Sequence, residues 1–78
     1  MNFIEGKLRR NSIGRWEIGE LELTSGATVE LLLEGHWISG QIEFWNDDYY
    51  WFSRTDGIPV ALHSGIDGRA VVGRYTNS

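Results

Sequence analysis

A chain of 78 residues has room for one domain, residues 1–78, with a thin core. It has no cysteine, which excludes a disulfide or a thiolate zinc site as a staple. The net charge of −4 is unevenly spread: residues 1–15 carry +3, residues 16–53 carry −8 without a single Lys or Arg, and residues 54–78 carry +1. Two readings follow. The basic ends pair with the acidic middle on folding, or the middle presents an acidic face that repels phosphate and attracts a basic partner. Residues 1–6 are too short and polar for a signal peptide, and no apolar run approaches the ~20 residues that cross a bilayer. A cytoplasmic protein with no membrane contact is the expectation.

Residues 3–10 predict a first strand with neither face cleanly apolar and a bend at Gly6. Asn11, Ser12, Ile13 and Gly14 make a turn, because Asn and Gly tolerate the positive φ of tight hairpins. Residues 15–19 alternate, with Trp16 and Ile18 on one side, and close a hairpin. Leu21 and Leu23 continue that pattern if Gly19 keeps the register.

Residues 28–34 are the clearest strand, with Val29, Leu31 and Leu33 facing one way. Gly35 and His36 form the corner, and residues 36–45 return. Trp37 is out of phase with Ile42 and Phe44 there. A β-bulge at Ser39-Gly40 would bring all three to one face. Asn46, Asp47 and Asp48 are a polar turn. Residues 49–54 then set Tyr49 and Trp51 against Tyr50 and Phe52, aromatic on both faces. Pro59 places any strand at 58–62 on an edge. Residues 63–68 read as a tight helical turn or loop, and residues 69–75 as a closing strand. Short strands, frequent turns and no helical stripe predict an all-β domain: a small SH3-like bent barrel of five to six antiparallel strands.

Signals for chemistry are poor. His36 and His63 stand at turns, and Ser64 beside His63 points away from it on an extended chain. Asp47, Asp48 and Asp56 lack calcium-loop spacing, and Asp is an ordinary turn residue. Gly65, Gly68 and Gly73 lack the strand-to-helix setting of a phosphate loop. No enzyme, metal or cofactor is expected. Trp37, Trp45, Tyr50 and Trp51 would serve as base-stacking platforms, but the strands that carry them hold no basic residue, which argues against nucleic acid. Trp16 and Trp37 read as core.

Several short motifs are family-like: Gly6-Lys7-Leu8, Gly14-Arg15-Trp16-Glu17-Ile18, Leu23-Thr24-Ser25-Gly26 with Val29-Glu30, Gly35-x-Trp37, Ile42-Glu43 and Tyr50-Trp51. Together they resemble a family of short domains of unknown function found in Gram-positive bacteria, often on conjugative transposons and prophages. The resemblance implies a mobile-element or phage accessory protein and assigns no catalytic residue. Residues 58–68 depart from the pattern.

The expected activity is that of a non-enzymatic protein-binding module. Its acidic, aromatic face would comprise Glu30, Glu43, Trp45, Asp47, Asp48, Tyr49 and Tyr50, since Trp and Tyr anchor interfaces. Two alternatives stand beside it: an inhibitor that mimics nucleic acid on a host defence or regulatory protein, and a weakly nucleic-acid-binding barrel. Strand edges at 3–10 and 58–62 allow a monomer or weak dimer, with Pro59 and the charge at Arg9 opposing association.

Overall fold

Period-two alternation governs the chain, and the computed structural model, which describes residues 2–72, is accordingly all β. Its strands are β1 (Asn2–Arg10), β2 (Trp16–Ile18), β3 (Leu21–Leu23), β4 (Thr28–Leu33), β5 (His36–Trp45), β6 (Asp48–Ser53), β7 (Pro59–Ala61) and β8 (Asp67–Val72). They form one antiparallel sheet in the order β3-β2-β1-β8-β4-β5-β6-β7, curled into a half-barrel. Eight strands replace the expected five to six because three segments of only three residues each pair as strands: β2, β3 and β7. Pro59 lies on edge strand β7, as its missing N–H requires.

Strand β1 belongs to two ladders. Residues 2–7 pair with β8, and Leu8, Arg9 and Arg10 pair with β2. The first and last strands therefore pair, with Phe3 opposite Val71. Gly19 keeps the register, so that Trp16 faces Leu23 and Ile18 faces Leu21. The concave face collects the core: Leu8, Trp16, Ile18, Leu23, Val29, Leu31, Ile42, Trp51, Ile66 and Ala70 are all buried.

Ser39-Gly40 is not a bulge. The β4–β5 register is unbroken from Thr28↔Gln41 to Leu33↔His36, and β5–β6 is unbroken from Gly40↔Ser53 to Trp45↔Asp48. Glycine stands at position 40 for space. A Cβ there would lie 2.4 Å from both Trp51 Cε2 and the Phe52 carbonyl oxygen. The Trp51 ring fills that gap, and its Nε1 donates a 2.8 Å hydrogen bond to the Val29 carbonyl. One side chain thus ties β6 across β5 to β4. Trp37 accordingly lies on the convex face, not with Ile42 and Phe44. It is half-buried there, with the Arg69 guanidinium 4.2 Å from its ring.

Curvature enters at the strand starts. Gly26 N–H donates to the Ile42 carbonyl while Ile42 N–H donates to Ala27, so two residues oppose one. The same hydrogen-bond pattern recurs at Gly14-Arg15 opposite Asn11, Gly57-Ile58 opposite Ser53, and Gly65-Ile66 opposite Leu8, each led by a left-handed glycine. This is the G1 bulge, which bends a strand and raises its twist. Of the helical turn or loop expected at 63–68 the structure has the loop, closed by the last of these bulges, and β8 begins at Asp67 instead of residue 69. The expected end of that strand, residues 73–75, lies outside the described residues. The 34–36 corner is a two-residue turn of Glu34 and Gly35, both at positive φ, and His36 opens β5.

Basic ends and acidic middle do pair. Arg9 Nε meets Glu17 at 2.8 Å, Arg10 meets Asp48 at 2.7 Å, Arg15 meets Glu22 at 3.3 Å and Arg69 meets Glu30 at 2.6 Å. The hydrogen bond from Arg9, with a second from Asn11, holds the Glu17 carboxyl below its ordinary range. The Tyr49 backbone N–H, then Arg10, does the same for Asp48. Lowered carboxyl pKa values give stability that is complete above the unfolded range near pH ~4 and is lost as pH falls through the folded values. Asp48→Asn should therefore melt below the parent at pH ~7, and the gap should narrow as pH falls below ~4. A gap that is constant across that range would remove the role given to Asp48.

A candidate protein-docking surface on the β5–β6 hairpin

Strands β5 and β6 are joined by Asn46 (φ 52°) and Asp47 (φ 67°). Both residue types tolerate the left-handed region, and two such residues make the I′ turn whose twist suits a hairpin. The turn sets Trp45 opposite Asp48, Phe44 opposite Tyr49, Glu43 opposite Tyr50 and Gln41 opposite Phe52. Alternation then divides the hairpin. Ile42 and Trp51 point into the core, so Glu43, Trp45, Tyr50 and Phe52 share the convex face, while Phe44 and Tyr49 share the concave rim.

On the convex face the Trp45 ring stands edge-on to Tyr50 at 5.4 Å and to Phe52 at 6.1 Å. Trp45 remains 53% exposed despite both contacts. Phe44 packs edge-on to Tyr49 at 5.0 Å on the other face and is 55% exposed. Two large apolar side chains at adjacent positions thus meet solvent on opposite sides of one hairpin.

The seven residues expected to form one surface are placed in four settings. Glu43, Trp45 and Tyr50 stand together, and Asp47 is at the adjoining turn. Glu30 is on the convex face in β4, committed to Arg69. Asp48 is tied to Arg10 at the end of β1, and Tyr49 faces the concave side with Phe44. Phe52 was not among the expected residues. Its signal was present in the alternation of Tyr50 and Phe52 against Tyr49 and Trp51. Among the described residues Glu43 and Asp47 form no ion pair. His36 and His63 are exposed, and among the described residues no three His, Asp or Glu side chains gather as a metal would need.

Comparison with protein families matches residues 6–70 to the domain of unknown function DUF5348. The chain belongs to the DUF5348 family. The match runs from Gly6 in β1 to Ala70 in β8 and so includes the whole β5–β6 hairpin. Within this DUF5348 domain the short motifs of the sequence are mostly scaffold: Leu8, Trp16, Ile18, Leu23, Val29, Ile42 and Trp51 are core residues. Glu43 and Tyr50 are the motif residues that reach the aromatic face of the hairpin. No curated protein and no solved structure matches the chain.

Proposed function

We propose that this DUF5348 domain is a non-enzymatic protein-binding module, an SH3-like barrel that docks a partner protein through the convex face of its β5–β6 hairpin. The observation that carries this reading is Trp45, half-exposed yet held edge-on by Tyr50 and Phe52. An interface anchor is a large aromatic that is orientated before binding, so that little side-chain freedom is lost on docking. Glu43 and Asp47 add negative charge at its margin. The cytoplasm is the proposed compartment and a mobile genetic element the proposed setting. The latter rests on the family resemblance, and genes for conjugation or phage functions beside this one would support it.

Wild type and Trp45→Ala, each shown folded by near-UV circular dichroism, should be compared as baits. Truncating a central aromatic anchor costs on the order of 2–4 kcal/mol of binding, or about 30-fold or more in affinity. A partner retained equally by both baits would remove the hairpin from the interface. A salt-sensitive gel shift with single-stranded DNA or RNA, abolished by the same substitution, would replace protein with nucleic acid as the partner.

A further inference from the structure

We infer that the hairpin face holds a recognition point for a cationic side chain, an arginine or lysine of the partner, seated against Trp45, Tyr50 and Phe52 with Glu43 as its counter-charge. The inference rests on the docking reading above and adds the chemistry of the partner.

Ring geometry locates the point. Trp45 lies in the row of Asp48, and Phe52 lies in the row of Gln41. Those rows are four residues apart, roughly 13 Å along a strand. The two ring centroids nevertheless approach to 6.1 Å. At least one ring therefore leans toward the row between them, which holds Glu43 and Tyr50. By register Glu43 is directly across from Tyr50 and lies between the rows of Trp45 and Phe52 on the same face.

Those rings stand at steep angles to one another, 71° for Trp45 and Tyr50 and 78° for Trp45 and Phe52. Steeply inclined rings present π faces in more than one direction, and a cation is attracted to such faces. The carboxylate beside them has no cation of its own among the described residues, whereas Glu17, Glu22, Glu30 and Asp48 each have one. Arg10 reaches the neighbouring row, that of Trp45, but is committed there to Asp48 and to the Trp16 ring. Within the hairpin the basic residue on this face is Arg54. It falls opposite Ser39, two rows beyond Glu43 and again roughly 13 Å along the strand.

Arg69 shows the same chemistry already satisfied within the chain. Its guanidinium lies 4.2 Å from the Trp37 ring and 5.1 Å from the Phe3 ring, and it is bonded to Glu30. The convex face thus carries two aromatic-plus-glutamate settings. One is filled by Arg69; at the other the carboxylate has no ion pair among the described residues.

The test is an NMR titration of the whole chain with N-acetyl-arginine amide, N-acetyl-lysine amide and the neutral isostere N-acetyl-citrulline amide. The cationic probes should shift the amides of Glu43 and Tyr50 and the Trp45 indole N–H, with a dissociation constant on the order of 30–200 mM for one exposed cation–π and carboxylate contact. Glu43→Gln should weaken them about three-fold or more, and Trp45→Ala should abolish the shifts. Equal binding of the citrulline probe, shifts centred elsewhere, or no shift would overturn the inference. So would shifts of the same resonances with protein concentration alone, which would place a second copy on the face. If bait capture depends on Trp45 while the cationic probes do not bind, the docking surface stands and the cation point falls. If the probes bind while Trp45→Ala leaves capture unchanged, the docking reading falls alone.

Discussion

Gly40→Ala should unfold much of the protein under conditions where the parent is folded. The added methyl would lie 2.4 Å from the Phe52 carbonyl oxygen and from Trp51 Cε2, and 2.6 Å from Trp51 Cζ2. Neither neighbour can yield cheaply. The carbonyl belongs to the β5–β6 ladder, and the indole is pinned by its bond to Val29 and buried on every side. Overpacking of a rigid core costs about 1–3 kcal/mol, and a clash against backbone belongs at or above the top of that range. A domain of this size has a margin of only about 5–8 kcal/mol. Urea titration followed by Trp fluorescence should move the midpoint sharply downward. Two companions give the scale. Gly68→Ala would place its methyl 2.7 Å from Leu8 Cδ1, the end of a side chain that can rotate, and should cost about 1 kcal/mol. Gly6→Ala meets only Ile18 Cγ2, at 3.5 Å, and should be close to neutral. Equal effects at all three positions would show that the gap at Gly40 is not what matters.

Trp51→Phe carries the second large effect, of opposite geometry. It removes part of a fully buried ring and the Nε1 donor to the Val29 carbonyl. The cavity and the lost hydrogen bond together should cost about 2–4 kcal/mol. Because the same ring creates the clash at position 40, the two substitutions must not add. The double variant should be less destabilised than the sum of the singles by about 1 kcal/mol or more, as expected for side chains in direct contact. Simple additivity would place the cause of the Gly40→Ala defect elsewhere, in the backbone clash with Phe52 alone.

Much of the fold was legible because period-two patterning is local. The alternation in 28–33 and 16–23, the turn at 11–14 and the edge position of Pro59 read correctly. The error at Ser39-Gly40 had a physical source. A large aromatic, Trp37, was assumed to need the core, and the phase was bent to bring it there. Its cover instead comes from Arg69 across the convex face, on a strand 32 positions away in the chain. Nothing within 36–45 signals that neighbour. The grouping proposed as a docking surface was partly legible for the same reason. Glu43, Trp45 and Tyr50 are neighbours through one hairpin. The separation of Glu30 depends on β8, and that of Asp48 on the end of β1. The aromatic pair that faces inward from residues 49–52 is decided by the space above Gly40, which only the paired strands reveal.

The double membership of β1 has a consequence for how the chain comes into being. Its first ladder closes against β8, so residue 3 has no partner until residue 71 exists. During synthesis, at about 5–20 residues per second, the leading strand waits several seconds for its mate. The β4–β7 meander, held by tight turns, can assemble in the meantime because its contacts are local. Within the sheet β1 is made before the other strands, and its ladder with β8 is one of the last to be secured. Through that interval Phe3 and Ile4 are exposed to whatever the nascent chain encounters. Arrival of β8, rather than completion of the β4–β7 meander, should set the moment at which this domain becomes resistant to protease.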